Sequence, residues 1–140
     1  MTTAPSNLKL KAFSEESVEE FYSYGFAQYN AGNWDQAKDL FTVLCAQRPL
    51  DARFWFGLGA TMQESGNYLD ALHSWAMVAL LRNEDPYPHF HAAECYFSLE
   101  DNEQGIKALR EVELRMTKEH PLEIKFTLLK EQWSCFDVNS

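Results

Sequence analysis

Apolar residues recur at helical spacing along most of the chain, and short breaks containing glycine, proline or polar residues separate the apolar segments. Such a pattern predicts amphipathic helices joined by tight turns, and therefore an all-α fold. The predicted N-cap residues are Ser14 or Ser17, Asp51, and Asp101 or Asn102. The predicted helices cover about residues 18–30, 34–47, 52–64, 68–82, 86–99, 102–118 and 121–135.

An internal repeat with a period of 34 residues organises these helices. The residue pairs at this spacing are Gly25 and Gly59, Gly32 and Gly66, Ala37 and Ala71, and Phe41 and Trp75. A weaker third copy places Ala93, Glu100, Gly105 and Leu109 at the equivalent positions. This period is that of the tetratricopeptide repeat, a helix–turn–helix unit.

The repeat predicts the organisation of the chain. We expect three tandem tetratricopeptide repeats at about 18–51, 52–85 and 86–119, with a C-terminal capping helix at about 121–135. Residues 14–140 then form a single domain, and residues 1–13 a flexible N-terminal tail. Gly25 and Gly59 are predicted to lie where helices cross closely, and Phe41 and Trp75 to fill the space toward the next repeat.

The first helix of each repeat carries a second face that packing within the repeat does not use. In the first repeat, Phe21, Tyr24 and Gly25 are expected to pack inward. The opposite face is expected to form the concave side of the superhelix, and its exposed aromatic residues predict a binding site. The alternative is that these aromatic residues belong to the core. The face carries Tyr22, Phe26 and Tyr29, then Arg53, Phe56, Ala60 and Gln63, and then Tyr87, Phe90, Glu94 and Phe97.

Charge, the length of apolar stretches and cysteine content argue against several kinds of partner and against a disulfide-stabilised fold. The net charge of −9 argues against nucleic acid or an anionic membrane surface as a partner. The longest wholly apolar stretch, residues 75–81, is too short for insertion into a membrane. Three widely spaced cysteines predict no disulfide framework and favour a reducing compartment.

Motifs for catalysis or cofactor binding are missing from the sequence. His91 and Cys95 have a spacing that a metal could use, but no second pair lies nearby, and packing is the expected role of both. Neither a nucleophile elbow nor a phosphate-binding glycine loop is present. We therefore expect a protein that is not an enzyme, with no cofactor, no metal and no catalytic residues.

Four segments, at 21–32, 51–60, 68–75 and 88–95, carry a more specific resemblance. They resemble the class II chaperones of bacterial type III secretion, the tetratricopeptide chaperones of translocator proteins, and the resemblance covers about residues 14–120. It implies a chaperone in the bacterial cytoplasm that binds a secreted translocator or gatekeeper protein. The client would bind in the concave groove through an extended segment of the form Pro-x-Leu-x-x-Pro. The resemblance also allows a weak homodimer.

The family's groove positions correspond to Tyr22, Phe26, Tyr29, Trp34 and Phe41 of this sequence. Together with the face described above, the predicted client-binding residues are Tyr22, Phe26, Tyr29, Trp34, Phe41, Arg53, Phe56, Gln63, Phe90, Glu94 and Phe97. The alternative function is a generic tetratricopeptide-repeat scaffold that joins subunits of a multiprotein assembly.

Overall fold

The computed structural model describes residues 11–133, and within that range it confirms the predicted all-α architecture. None of the helices there is long and apolar enough to cross a lipid bilayer. The helices are α1 (Glu15–Asn30), α2 (Trp34–Gln47), α3 (Ala52–Glu64), α4 (Tyr68–Leu81), α5 (Tyr87–Ser98), α6 (Asn102–Arg115) and α7 (Glu123–Gln132).

Capping side chains mark the starts of three of the seven helices described. The Ser14 hydroxyl accepts a hydrogen bond from the Ser17 backbone N–H at 3.1 Å, so α1 begins three residues earlier than predicted. Asp51 and Asp101 cap α3 and α6 in the same way, as predicted. The predicted extension of α6 to residue 118 is wrong, because Met116 has extended backbone angles that end the helix at Arg115. The predicted last helix runs to residue 135, and residues 134–135 lie outside the described range.

Close approach between helices depends on glycines that face aromatic rings. The Phe41 ring is 1% exposed and lies between α1 and α3. A Cβ atom on Gly25 would meet its Cζ at 3.0 Å, and a Cβ on Gly57 would meet its Cε1 at 2.3 Å. In the second repeat a Cβ on Gly59 would lie 2.9 Å from Cε2 of Trp75, which is also buried. The predicted packing role of these rings is confirmed.

The third repeat exchanges the positions of ring and glycine. Here the glycine is Gly105, on the second helix, and the ring is Phe97, on the first helix. A Cβ on Gly105 would lie 2.5 Å from Phe97 Cε1. Phe97 therefore packs inward, which places it in the second of the two core clusters, with Phe90 and residues of α6 and α7.

The segment before α1 is bound to the end of α2. The Phe13 N–H donates to Gln47 Oε1 at 2.7 Å, and the Gln47 side-chain amide donates to the Lys11 carbonyl at 2.6 Å. The Arg48 guanidinium donates to the Phe13 carbonyl at 2.9 Å, and the Phe13 ring lies 4.9 Å from the ring of Phe21. Residues 11–13 of the predicted tail thus contact α2 and the residue that follows it, while residues 1–10 lie outside the described range.

Candidate functional site

The first helices of the three repeats, α1, α3 and α5, are joined side by side, since Arg53 of α3 bonds to Glu19 of α1 and Gln63 of α3 bonds to Glu94 of α5. We call the surface that they form the A-helix face. Between α1 and α3 it contains a pocket of about 160 Å³, lined by Tyr22, Phe26, Arg53, Phe56, Gly57 and Arg82. We call it the aromatic pocket.

Edge-to-face ring contacts hold the walls of the aromatic pocket. The Tyr22 ring centroid lies 5.0 Å from that of Phe26 and 5.3 Å from that of Phe54. Phe56 packs edge-on against Trp75 at 4.8 Å. Tyr22 and Phe56 are half-buried, whereas Phe26 keeps 44% of its surface exposed. Phe26 is therefore an apolar side chain that the described fold does not cover, which is the property expected of a binding surface.

Arg53 positions Tyr22 and has few donors left for any ligand. Its guanidinium donates to both carboxylate oxygens of Asp51, the nearest at 2.8 Å, and to both oxygens of Glu19, at 3.1 and 3.3 Å. The Cζ atom of Arg53 lies 4.8 Å from the Tyr22 ring centroid, within cation–π range. Hydrogen bonds from Arg53 lower the pKa of Asp51, and burial raises the pKa of Tyr22.

Tyr29 and Trp34 form a second aromatic contact, at the turn of the first repeat. Their ring centroids are 5.5 Å apart at an interplanar angle of 63°, and both side chains are half-buried. Burial raises the pKa of Tyr29. The structure thus brings Trp34 of α2 beside the A-helix face, where the sequence predicted it.

Three of the predicted site residues are core residues instead. Phe41, Phe90 and Phe97 are 1%, 3% and 4% exposed, so they pack in the core, although Phe97 still lines a pocket between α5 and α7. Phe41 supports the aromatic pocket from beneath, since its ring lies 6.2 Å from Phe26 and 6.4 Å from Tyr22. The converse error concerns Tyr24, which was expected to pack inward but is 59% exposed.

A hydrogen-bonded relay crosses the A-helix face from α3 to α5. The buried Trp75 indole N–H donates to Gln63 Oε1 at 3.0 Å, and the Gln63 amide donates to Glu94 Oε1 at 2.9 Å. His91 stacks on Trp75 with centroids 4.6 Å apart, and its Nδ1 lies 2.8 Å from the same Glu94 oxygen. Gln63 and Glu94 were predicted from the sequence, but their mutual contact was not.

A second pocket on this face, of about 380 Å³, lies between α5 and α7. Its lining residues are Glu94, Phe97, Ser98, Leu129, Gln132 and Trp133. Trp133 stacks flat on Phe97, with ring centroids 4.4 Å apart and an interplanar angle of 4°. We call this space the Glu94 pocket.

Sequence reasoning missed six lining residues of these pockets: Gly57, Arg82, Ser98, Leu129, Gln132 and Trp133. Arg82 and Trp133 are the charged and the aromatic side chain among them. Arg82 follows the fourth helix, and the antiparallel return of α4 along α3 brings it to the aromatic pocket. Its nearest acidic neighbour is Asp85, at 3.9 Å. Trp133 lies near the end of the last helix, far in sequence from Phe97. The only signal for either residue would have been its place at a helix end.

A cavity of about 630 Å³ lies on the opposite side, between α4 and α6. Small and charged side chains, such as Ala76, Ala79, Lys107 and Glu111, make up much of its lining. It lacks the cluster of partly exposed rings that the A-helix face presents, so we do not assign the site there.

Residues 11–133 show neither a metal-binding cluster nor a reactive cysteine. No group of three or more His, Cys, Asp or Glu side chains in that range is arranged to hold a metal ion. Cys45 and Cys95 are buried, and burial raises the pKa of each thiol to about 12. A thiol with so high a pKa is neither a good nucleophile nor a good ligand at neutral pH.

Comparison with known proteins was made on sequence and on structure. The sequence matches the tetratricopeptide repeat family over residues 18–49 and 54–82. It is similar to the low calcium response locus protein H of Yersinia pestis, with 36% identity over 106 residues. That match covers 74% of this chain and 63% of the relative, so the chain spans less than two thirds of that protein's length.

The solved structures to which this chain is similar include two complexes with segments of other proteins. PcrH, a Pseudomonas aeruginosa protein, in complex with the chaperone binding region of PopD is 32% identical, with a TM-score of 0.84 and coverage of 92% of this chain and 99% of that chain. The Yersinia enterocolitica type III secretion chaperone SycD in complex with a peptide of the translocator YopD is 28% identical, with a TM-score of 0.83 and coverage of 90% and 96%.

Proposed function

The chain belongs to the family of class II translocator chaperones of type III secretion, and we propose that it acts as one. In this proposal it binds a secreted translocator or gatekeeper protein in the bacterial cytoplasm and holds it before export. The client binds through an extended segment on the A-helix face.

The observation that carries the proposal is the partly open aromatic pocket. Phe26 is 44% exposed beside the half-buried rings of Tyr22 and Phe56, on a face made of helices from successive repeats. Aromatic anchors of this kind contribute most of the binding energy in protein interfaces. The PcrH and SycD complexes support the same function, since PcrH binds the chaperone binding region of PopD and SycD binds a peptide of the translocator YopD.

The chemistry of the pocket suits an extended, proline-containing segment. Such a segment is already extended in solution, so it loses little conformational entropy on binding. Proline and leucine side chains bury apolar area against Tyr22, Phe26 and Phe56. The Arg82 guanidinium, at the edge of the pocket, supplies a donor for a backbone carbonyl of the segment.

A peptide titration with a matched control tests the proposal. The probe is a 12-residue peptide containing Pro-x-Leu-x-x-Pro, and the negative control is the same peptide with alanine at the three defined positions. Replacing Tyr22 and Phe26 together by alanine is expected to weaken binding of the probe about tenfold or more, a loss of about 1.4 kcal/mol. Tyr24→Ala is the control, because Tyr24 is an exposed tyrosine of the same helix outside the pocket.

Two outcomes would contradict the proposal. The first is that the probe and its alanine version bind equally, so that no apolar anchor is recognised. The second is that Tyr24→Ala weakens binding as much as the double substitution does. Circular dichroism at 222 nm checks that each variant keeps the helical content of the parent.

A further inference from the structure

The Glu94 pocket differs in chemistry from the aromatic pocket. It combines a carboxylate with an aromatic wall, formed by Trp133 stacked on Phe97 and flanked by Leu129. None of its six lining residues is basic. Its volume of about 380 Å³ is more than twice that of the aromatic pocket, at about 160 Å³, so a long side chain fits within it.

The carboxylate of Glu94 is held in place by one of its oxygens. Oε1 accepts from the Gln63 amide at 2.9 Å and lies 2.8 Å from His91 Nδ1. Both of these partners are fixed in turn by Trp75, through a hydrogen bond to Gln63 and through stacking on His91. Within residues 11–133, Oε2 has no hydrogen-bond partner, and the Glu94 side chain is 35% exposed.

No lysine or arginine among the described residues forms an ion pair with Glu94. Among the described residues its only ion-pair partner is His91, which carries charge only when it is protonated. A neutral His91 with its proton on Nδ1 donates to Oε1 and leaves the negative charge on the carboxylate. Lys130, which follows the pocket residue Leu129 in the sequence, bonds to Glu113 of α6, at 3.0 Å.

We propose that the Glu94 pocket is a subsite for a basic side chain, lysine or arginine, of the bound client segment. Glu94 Oε2 accepts the charged hydrogen bond, and the aromatic wall contacts the aliphatic stem and the cation. The net charge of −9 favours the approach of such a segment. This inference rests on the proposed function, because it assigns a second position to the same extended client.

A lysine scan of the probe peptide tests the subsite. The Pro-x-Leu-x-x-Pro core is flanked by four glutamines on each side, and each glutamine in turn is replaced by lysine. Every peptide is titrated at pH 8 and low ionic strength into the parent protein, Glu94→Gln and Glu20→Gln. The last variant removes the same unit of charge from an exposed position of α1.

We expect the gain in affinity to depend on one region of the peptide and on one residue of the protein. At one flanking position, or two adjacent ones, lysine tightens binding to the parent about five- to tenfold over glutamine. Glu94→Gln abolishes that gain, so that it binds the lysine peptide and the all-glutamine peptide equally, while Glu20→Gln keeps the gain.

Each contrary result has its own meaning. If no lysine position gains affinity, or if the gain survives in Glu94→Gln, the subsite does not exist. If both variants lose the gain equally, the attraction is a general charge effect and the subsite is again wrong. If the parent fails to bind even the all-glutamine peptide, the proposed function fails and the subsite with it.

Discussion

Gly57→Ala is the substitution for which the structure makes the sharpest stability prediction. Alanine normally stabilises a helix interior relative to glycine by about 1 kcal/mol. Here the added Cβ would lie 2.3 Å from Phe41 Cε1 and 2.6 Å from both Cδ1 and Cζ. The ring has little room to withdraw, because the α1 backbone at Gly25 is also close to it: a Cβ there would lie 3.0 Å from Cζ.

The net effect follows from the two opposing contributions. Overpacking a well-filled core costs about 1–3 kcal/mol, and three contacts this short place the cost at the upper end. Subtracting the gain in helix propensity leaves a destabilisation of about 2 kcal/mol. For a domain of this size that corresponds to a melting temperature lower by about 4–8 °C.

A double-mutant cycle isolates the contact between residues 57 and 41. Stability is measured by urea unfolding, followed by circular dichroism at 222 nm, for the parent, Gly57→Ala, Phe41→Val and the double variant. Valine lacks every ring atom that the new Cβ would meet. In the Phe41→Val background, Gly57→Ala is therefore expected to be neutral or stabilising by up to about 1 kcal/mol. A Gly57→Ala protein as stable as the parent would show that the Phe41 ring does not pack tightly between Gly25 and Gly57.

Three further predictions concern other positions. Glu100 has a φ of 61° where the first two repeats have glycine, so Glu100→Gly is expected to raise the unfolding free energy by about 1 kcal/mol, and an unchanged or lower urea midpoint would contradict this. Cys45 and Cys95 are expected to resist alkylation at pH 8 in the native protein, as mapped by mass spectrometry, and modification of either at the rate seen in urea would count against their burial. Hydrogen bonds from Arg53 lower the pKa of Asp51, so its carboxylate stabilises the fold above the unfolded-state pKa of about 3.9 and loses that effect as the pH falls. Thermal melts should therefore show the parent more stable than Asp51→Asn at pH 7, with the gap narrowing from about pH 5 to pH 3, and a constant gap would exclude this linkage.

Most helices were predicted correctly because the turn residues and the 34-residue period indicate the same helix boundaries. Gly32 and Gly66, which end the first two A helices, have φ angles of 77° and 84°, in the region where glycine is favoured. Glu100 keeps the same left-handed geometry without glycine, so the fold at that position is imposed by the packing of the third repeat. The end of α6 was misplaced because nothing in the local sequence marks the extended conformation of Met116.

The candidate site was predicted more fully in its first two repeats than in the third, where Glu94 was predicted but the burial of Phe90 and Phe97 was not. In the first two repeats the glycine lies on the A helix and the ring on the following helix, so Tyr22 and Phe26 remain for the open face. In the third repeat Gly105 accepts the ring of Phe97 from the A helix, which leaves only a small part of Phe97 to line the Glu94 pocket. Helical periodicity alone cannot distinguish a ring that faces a groove from one that enters a gap on the next helix. Arg82 and Trp133 reach the pockets through tertiary packing, which local spacing does not encode.

The central claim is that a client segment lies on the A-helix face, and site-specific photo-crosslinking tests it most directly. Benzoylphenylalanine is introduced at position 26 in the aromatic pocket or, as control, at position 80 on α4, where Leu80 is 75% exposed beside the cavity between α4 and α6. Each protein is irradiated with the Pro-x-Leu-x-x-Pro probe, and the adducts are mapped by mass spectrometry. We expect adducts from position 26 that excess unlabelled peptide suppresses, and none from position 80. Adducts from position 80 with none from position 26 would contradict the account.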